Sequence, residues 1–137
     1  MNTQIVVDAS NMVLGRLASY AAKQALLGKS VIIVNCDNAV LTGSKANVIA
    51  EYEDIRKKGG ASLRGPFFPK HPDRMVKRTV RGMLSYKQGR GEAALKRVIC
   101  YNDTPKEYES SKKKIQSISA ENKTIKTIKM GEISRII

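Results

Sequence analysis

Two hydrophobic periods run through this chain. Ile5-Val6-Val7-Asp8-Ala9 is a short, mostly apolar run and predicts a buried strand. Beyond it, Leu14, Leu17, Ala18, Ala21 and Ala25 recur at the spacing that lines one face of a helix, as far as Gly28. Ser10 and Asn11 precede that stretch as candidate caps, and Gly28 is a natural C-terminal stop. Ser30-Val31-Ile32-Ile33-Val34-Asn35-Cys36 is a nearly unbroken β-branched run, the pattern of a strand covered on both faces. Strand, helix and strand in so short a span make a βαβ unit, which implies a parallel sheet.

The pattern continues with a short extended piece at Ala39-Val40-Leu41 and a turn at Thr42-Gly43-Ser44. A helix is expected from Lys45 to about Lys58, with Val48, Ile49, Tyr52 and Ile55 on one face and Gly59-Gly60 as its end. Ala61–Pro72, with Gly65-Pro66 and Phe68-Pro69, reads as an ordered but irregular loop. Helices are expected from Asp73 to about Leu84 and from Gly91 to Lys96, then a strand over Arg97–Tyr101. After Pro105 the chain turns polar. Lys123–Met130 alternates Lys or Thr with Ile, as an exposed strand does, and Gly131–Ile137 fits a terminal helical turn. Neither a repeat nor a domain break interrupts the series, so residues 1–137 read as one domain with a less defined tail over 110–137.

Charge is spread very unevenly over these elements. Between Arg56 and Arg97 lie thirteen Lys or Arg residues against two acids, Asp73 and Glu92, a local net charge of +11 in a chain of +13. The first 55 residues carry −1 and the last 40 carry +3. Charge this concentrated calls for an anionic partner, and for a soluble protein the usual one is nucleic acid. Arg74, Lys77, Arg78 and Arg81 fall at i, i+3, i+4 and i+7, one stripe of a helix whose other side carries Val76, Val80, Met83 and Leu84. Solvated helix faces usually mix signs, and this stripe contains no acid. Lys87, Arg90, Lys96 and Arg97 extend the patch, and Arg64, Lys70 and His71 are candidates for the same surface. Gly89-Arg90-Gly91 serves either a close approach of backbone to phosphate or a plain interhelical turn, and the residues alone leave both open.

Composition narrows the chemistry. A hydrophobic fraction of 42% suits a globular chain with a core. Aromatics make up only 5%, with no Trp, which argues against a single-strand binder that stacks bases on many rings and is compatible with a protein that grips folded RNA or duplex by its backbone. No apolar run approaches the roughly 20 residues that span a bilayer, and the N-terminus lacks a signal-peptide pattern. Cys36 and Cys100 each end an apolar run and read as buried free thiols; with the single His71 they make no zinc site, and no metal or cofactor is expected. Gly28-Lys29-Ser30 resembles the tail of a phosphate-binding loop, but position 23 is Lys rather than Gly, and the triplet precedes a strand instead of opening a helix. Gly15 stands alone after the first strand, so the dinucleotide fingerprint is missing too. Asp8 has no nucleophile, base or metal ligand nearby in sequence and reads as a capping or salt-bridging carboxylate. Glu51, Glu53 and Asp54 read as a solvent face or as partners for basic neighbours, and Lys112-Lys113-Lys114 as a solvated turn.

Three stretches together resemble one known family, the universal large-subunit ribosomal protein L-thirteen. They are Asp8-Ala9 with Leu14-Gly15-Arg16-Leu17-Ala18-Ser19; Val34-Asn35-Cys36 through Val40-Leu41-Thr42-Gly43; and Gly65-Pro66 with Arg78-Thr79-Val80-Arg81-Gly82-Met83-Leu84 and Gly91-Glu92-Ala93-Ala94-Leu95. The match runs from about Ile5 to Tyr108, and no function is carried onto the tail after Ser110. The Arg-Thr-Val-Arg-Gly-Met form and the run Arg90-Gly91-x-Ala93-Ala94-Leu95 are similar to the archaeal and eukaryotic branch, and the short chain favours the archaeal side.

The resemblance implies a three-layer α/β/α sandwich with a four-stranded, mainly parallel sheet. It implies a structural, non-enzymatic protein of the cytoplasmic ribosome that binds 23S-type rRNA, supports early subunit assembly, and sits as a monomer among neighbouring large-subunit proteins. The patch around Arg74–Arg97 would face the rRNA. Two other readings compete: a nucleotide-dependent or RNA-modifying enzyme on a Rossmann-like sheet, against which the missing glycines count, and a DNA-binding regulator, for which no recognition motif is present.

Overall fold

The computed structural model describes residues 3–57, 68–110, 112 and 126–137. The expected helix stop at Gly59-Gly60, the Gly65-Pro66 turn, the candidate Arg64, Lys113-Lys114 and the start of the alternating run at Lys123 lie outside those residues. In chain order the elements are β1 (Gln4–Asp8), α1 (Leu14–Leu26), β2 (Ser30–Val34), β3 (Val40–Thr42), α2 (Lys45–Lys57), α3 (Pro72–Gly82), α4 (Gly89–Lys96), β4 (Val98–Cys100), β5 (Thr127–Lys129) and α5 (Met130–Ile136). Short 3-10 turns occupy Cys36–Asn38 and Lys106–Tyr108. None of the described helices is long and apolar enough to cross a membrane.

The apolar run at Ser30–Val34 becomes the middle strand. β1 and β4 flank β2, both parallel to it, with Val7 opposite Ile33 and Ile33 opposite Cys100. Side chains alternate across this sheet. Val7, Val31 and Ile33 join the main core with α1, α3 and α4, while Val6, Ile32 and Val34 form a second cluster against Tyr101 and Tyr108. This alternation explains why β2 has no polar face: both of its sides are buried.

The fold is mixed α/β as expected, but among the described residues the parallel sheet has three strands, not four. Val40–Thr42 touches the βαβ unit through a bridge from Val13 to Val40 and otherwise pairs antiparallel with β5, Val40 opposite Lys129 and Thr42 opposite Thr127. β3 thus pairs with the C-terminal segment along one edge, while its other edge meets the turn before α1, the Val40 N–H donating to the carbonyl of Met12 at 2.9 Å. β5 is also less exposed than its alternation suggests, because Ile128 between the exposed Thr127 and Lys129 is buried. α5 packs against the Cys36–Asn38 turn, anchored by the Met130 N–H on the carbonyl oxygen of Ala39 at 2.8 Å.

Two expected caps act differently. α1 begins at Leu14 with Val13 at its N-cap and no capping side chain. Ser10 and Asn11 belong instead to the turn leaving β1. The Ser10 N–H bonds Asp8 Oδ1 at 3.0 Å, and Asn11 turns the chain with φ of 59°, a conformation Asn tolerates. At the other end Gly28, with φ of 92°, stops the helix as expected, which also disposes of the phosphate-loop reading.

Candidate nucleic-acid interface

α3 carries the cationic stripe and is fixed from both sides. Its inner face, Pro72, Met75, Val76 and Val80, is buried against α1, β4 and the Cys36–Asn38 turn. Pro72 opens the helix, where a missing N–H costs nothing. The next orphan donor, the Asp73 N–H, is taken by Asn102 Oδ1 at 2.9 Å, from the loop after β4. Asn102 therefore orients the start of the stripe, and no local sequence signal marks it. Met75, not Met83, completes the apolar face. Once the helix stops at Gly82, Met83 leaves the helical register and stands 46% exposed.

With that face buried, Arg74, Arg78 and Arg81 are exposed and Lys77 is half-buried beside them. All four line one shallow depression of about 410 Å³ floored by Pro69 and Leu95. Among the described residues none of them forms an ion pair; the two ion pairs found there join Lys45 to Glu132 at 2.6 Å and Lys96 to Glu92 at 3.6 Å. Four uncompensated cations on one rigid helix repel one another unless an anion binds, so the helix holds a fixed positive field outward. Two guanidinium groups are also oriented by rings: Arg78 lies over Phe68 at 4.5 Å and Arg81 over Tyr86 at 5.1 Å, with Lys87 6.0 Å from the Tyr86 ring. A second cavity, of about 460 Å³, lies between α2 and α3 on the ring side of these arginines. Burial, and then the neighbouring Glu51 carboxylate, push the Tyr52 phenol up, while Arg78 pulls it back.

The other candidates are not all gathered there. Lys70 is exposed next to Pro69 at the rim. His71 is exposed at the N-cap of α3 and faces a different, polar depression that also holds Asp37 and Asp103. There burial, and then Asp103, push the Asp37 carboxyl up. Arg90 lies at the far end, in a hollow with Leu26 and Met83. Lys96 is exposed but shares its charge with Glu92. Arg97 is half-buried, and its guanidinium is engaged with the end of α1, Nη1 donating to the carbonyl of Ala25 at 2.9 Å. Arg64 lies outside the described residues.

The two glycines of Gly89-Arg90-Gly91 play different parts. Gly91 is buried, and a Cβ there would overlap the carbonyl of Ser85, so this glycine permits close packing of α4 on the preceding turn. Gly89 is exposed with open space around it.

Among the described residues, Asp8 and Cys36 are engaged by local hydrogen bonds. Burial pushes the Asp8 carboxyl up, but hydrogen bonds from Asn35 Nδ2 at 3.1 Å and the Ser10 N–H outweigh it and hold the group below its ordinary value. Cys36 and Cys100 are free thiols, and Cys36 is buried; its hydrogen bond with Cys100, then burial, push its pKa well above the usual thiol range. Among the described residues no group of three or more His, Cys, Asp or Glu is placed to hold a metal ion.

The family model described as Ribosomal protein L13 matches residues 2–107. The large ribosomal subunit protein uL13 of Methanosarcina barkeri is 42% identical over 134 residues, covering 95% of this chain and 94% of its own. Those of Archaeoglobus fulgidus (40% over 135 residues, 96% and 86%) and Methanocaldococcus jannaschii (42% over 133 residues, 95% and 94%) are similarly close. These alignments cover nearly the whole chain, including most of the tail beyond the family model.

Proposed function

The chain belongs to the ribosomal protein L13 family, and from that premise we propose that it is a structural, non-enzymatic component of the large ribosomal subunit that binds rRNA through α3. The observation that carries this reading is the acid-free stripe of Arg74, Lys77, Arg78 and Arg81 on a helix anchored by its opposite face. Each cation that meets a phosphate releases counterions condensed on the RNA, so affinity falls steeply with salt. Guanidinium forks can clamp phosphate oxygens in two places, which fixes orientation as well as charge. Lys70, Lys87 and Arg90 widen the surface. Arg64, His71, Lys96 and Arg97 stand as secondary candidates, the last three because an acid-lined hollow, an ion pair and a carbonyl respectively compete for them. Recognition by a rigid array of cations reads the spacing of phosphates, hence RNA shape, more than base identity.

Several finer features belong to the same proposal. The burial of Val6, Ile32 and Val34 under Tyr101 and Tyr108 covers the second face of the sheet, as the three-layer reading requires. The pairing of β3 with β5 supports one domain that includes the C-terminal segment. A position beside other large-subunit proteins, with one copy per subunit and a part in early assembly, follows from the family.

Sedimentation of the purified chain with large subunits depleted of this protein tests the proposal. The chain is expected to comigrate with the particles in low salt and to dissociate in high salt. A chain that stays at the top of the gradient in low salt would sink it.

A further inference from the structure

We infer that an unstacked rRNA base enters the cavity between α2 and α3 while the phosphate attached to it rests on the outer α3 stripe. The inference rests on the rRNA-binding reading and adds to it a stacking site that shape recognition does not require. The chain has seven Tyr and Phe residues, and three of them, Tyr52, Phe68 and Tyr86, line this one cavity of about 460 Å³. That volume is in the range of pockets that receive small planar ligands. Tyr52 meets Phe68 edge-on, ring centroids 5.5 Å apart, and Arg78 covers Phe68 at 4.5 Å. A guanidinium lying on a ring offers its outer plane as the next layer of a stack, and bases stack on rings and guanidinium planes alike.

Charge distinguishes the two hollows on either side of the arginines. Arg78 and Arg81 wall both. The outer one also holds Arg74 and Lys77 and no acid, which suits a phosphate. The inner one holds the Glu51 carboxylate, which repels a phosphate but accepts an N–H from the edge of a base. The anionic and aromatic parts of one nucleotide therefore have separate, adjoining places. An aliphatic side chain from a neighbouring protein would fill the inner cavity without using either arginine.

The test uses the full chain and a large-subunit rRNA transcript, with base-specific chemical probing and hydroxyl-radical footprinting in parallel. Tyr86→Leu removes a partly exposed ring; Tyr52→Leu removes the inner one, and Tyr52→Phe restores it. In the wild-type complex one base is expected to be protected. Both Leu variants are expected to expose that base again and to lower affinity roughly tenfold, with the salt slope and the backbone footprint unchanged. Tyr52→Phe is expected to keep the protection. Should Tyr52→Leu fail to fold, Tyr86→Leu decides alone. An unchanged base pattern and affinity in that variant, with the backbone footprint intact, would overturn the stacking site and leave rRNA binding standing. Weakened binding to ribosomal particles but not to naked rRNA would assign the cavity to a protein side chain and overturn it as well. No wild-type footprint at all would remove the rRNA reading itself.

Discussion

The Arg97 guanidinium donates to the carbonyl oxygen of Ala25 at 2.9 Å, joining the entry of β4 to the last turn of α1. The Ala25 carbonyl already accepts the Gly28 N–H at 3.1 Å, so the half-buried Arg97 cation is a second donor to it and complements the slightly negative end of the helix. By charge alone Arg97 is one more cation of the patch; by contact it is a clasp of the core. Arg97→Ala is expected to lower unfolding stability by about 1.5–3 kcal/mol in urea, since charge-assisted bonds carry that much. The salt slope of rRNA binding should hardly move. A stable Arg97→Ala protein with a reduced slope would return Arg97 to the binding surface.

Gly91 and Gly89 sit two residues apart and should respond oppositely to the same change. Alanine at 91 drives a Cβ into the Ser85 backbone, which has no side-chain torsion to relieve it. Gly91→Ala should cost about 3 kcal/mol, the upper end of what overpacking usually costs and a large part of the stability of a domain this size. Alanine at 89 meets nothing and enters the first turn of a helix, so Gly89→Ala should be neutral or stabilising by up to about 1 kcal/mol. Denaturation midpoints of the two variants check both statements. Normal stability with selective loss of rRNA affinity in Gly89→Ala would show a phosphate resting on that backbone.

The elements legible in the sequence are those whose signal is local. The spacing Leu14, Leu17, Ala18, Ala21, Ala25 and the β-branched run after Ser30 record burial directly, and α1 and β2 follow them. The stripe on α3 is legible for the same reason, because four cations at helical spacing need only a helix to align them. What stays hidden depends on partners far along the chain. β3 chooses β5 over the main sheet, Asn102 takes the Asp73 N–H, and Ala25 holds Arg97. None of these pairings leaves a periodic trace. Met83 departs from the expected apolar face for a narrower reason: the apolar period extrapolates past Gly82, where the helix has already ended.

Asp8 should contribute an acid-sensitive increment of stability. Its carboxyl titrates below the ordinary 3.8 in the folded chain because Asn35 and Ser10 donate to its charged form. A depressed folded pKa means that the unfolded chain binds the proton more readily. The increment is therefore complete above about pH 4 and is lost as pH falls through the folded value. Because the group is only half-buried and its donors are uncharged, it is worth about 0.5–1 kcal/mol. Asp8→Asn should lose that amount at pH 7 and show a shallower decline below pH 4 than the parent. Equal acid limbs in the two proteins would place the acid sensitivity elsewhere.

The cationic stripe makes the sharpest functional claim, because its charge and its geometry can be separated. Replacing Arg74, Lys77, Arg78 and Arg81 together by Ala should reduce the slope of log affinity against log salt by about 3 for an RNA partner, about 0.7 for each phosphate left without its cation. The fold should survive, since none of the four contributes to the buried face of α3. A small stability loss, about 0.5–1 kcal/mol for each, is expected from removing Arg78 from Phe68 and Arg81 from Tyr86. Arg78→Lys with Arg81→Lys keeps both charges but removes the planar forks. The slope should then stay close to that of the parent while affinity falls, because a lysine neutralises a phosphate without clamping it in two places. If the double Lys variant lost the slope as well, the arginines would be acting through the fold and not through contact with the RNA.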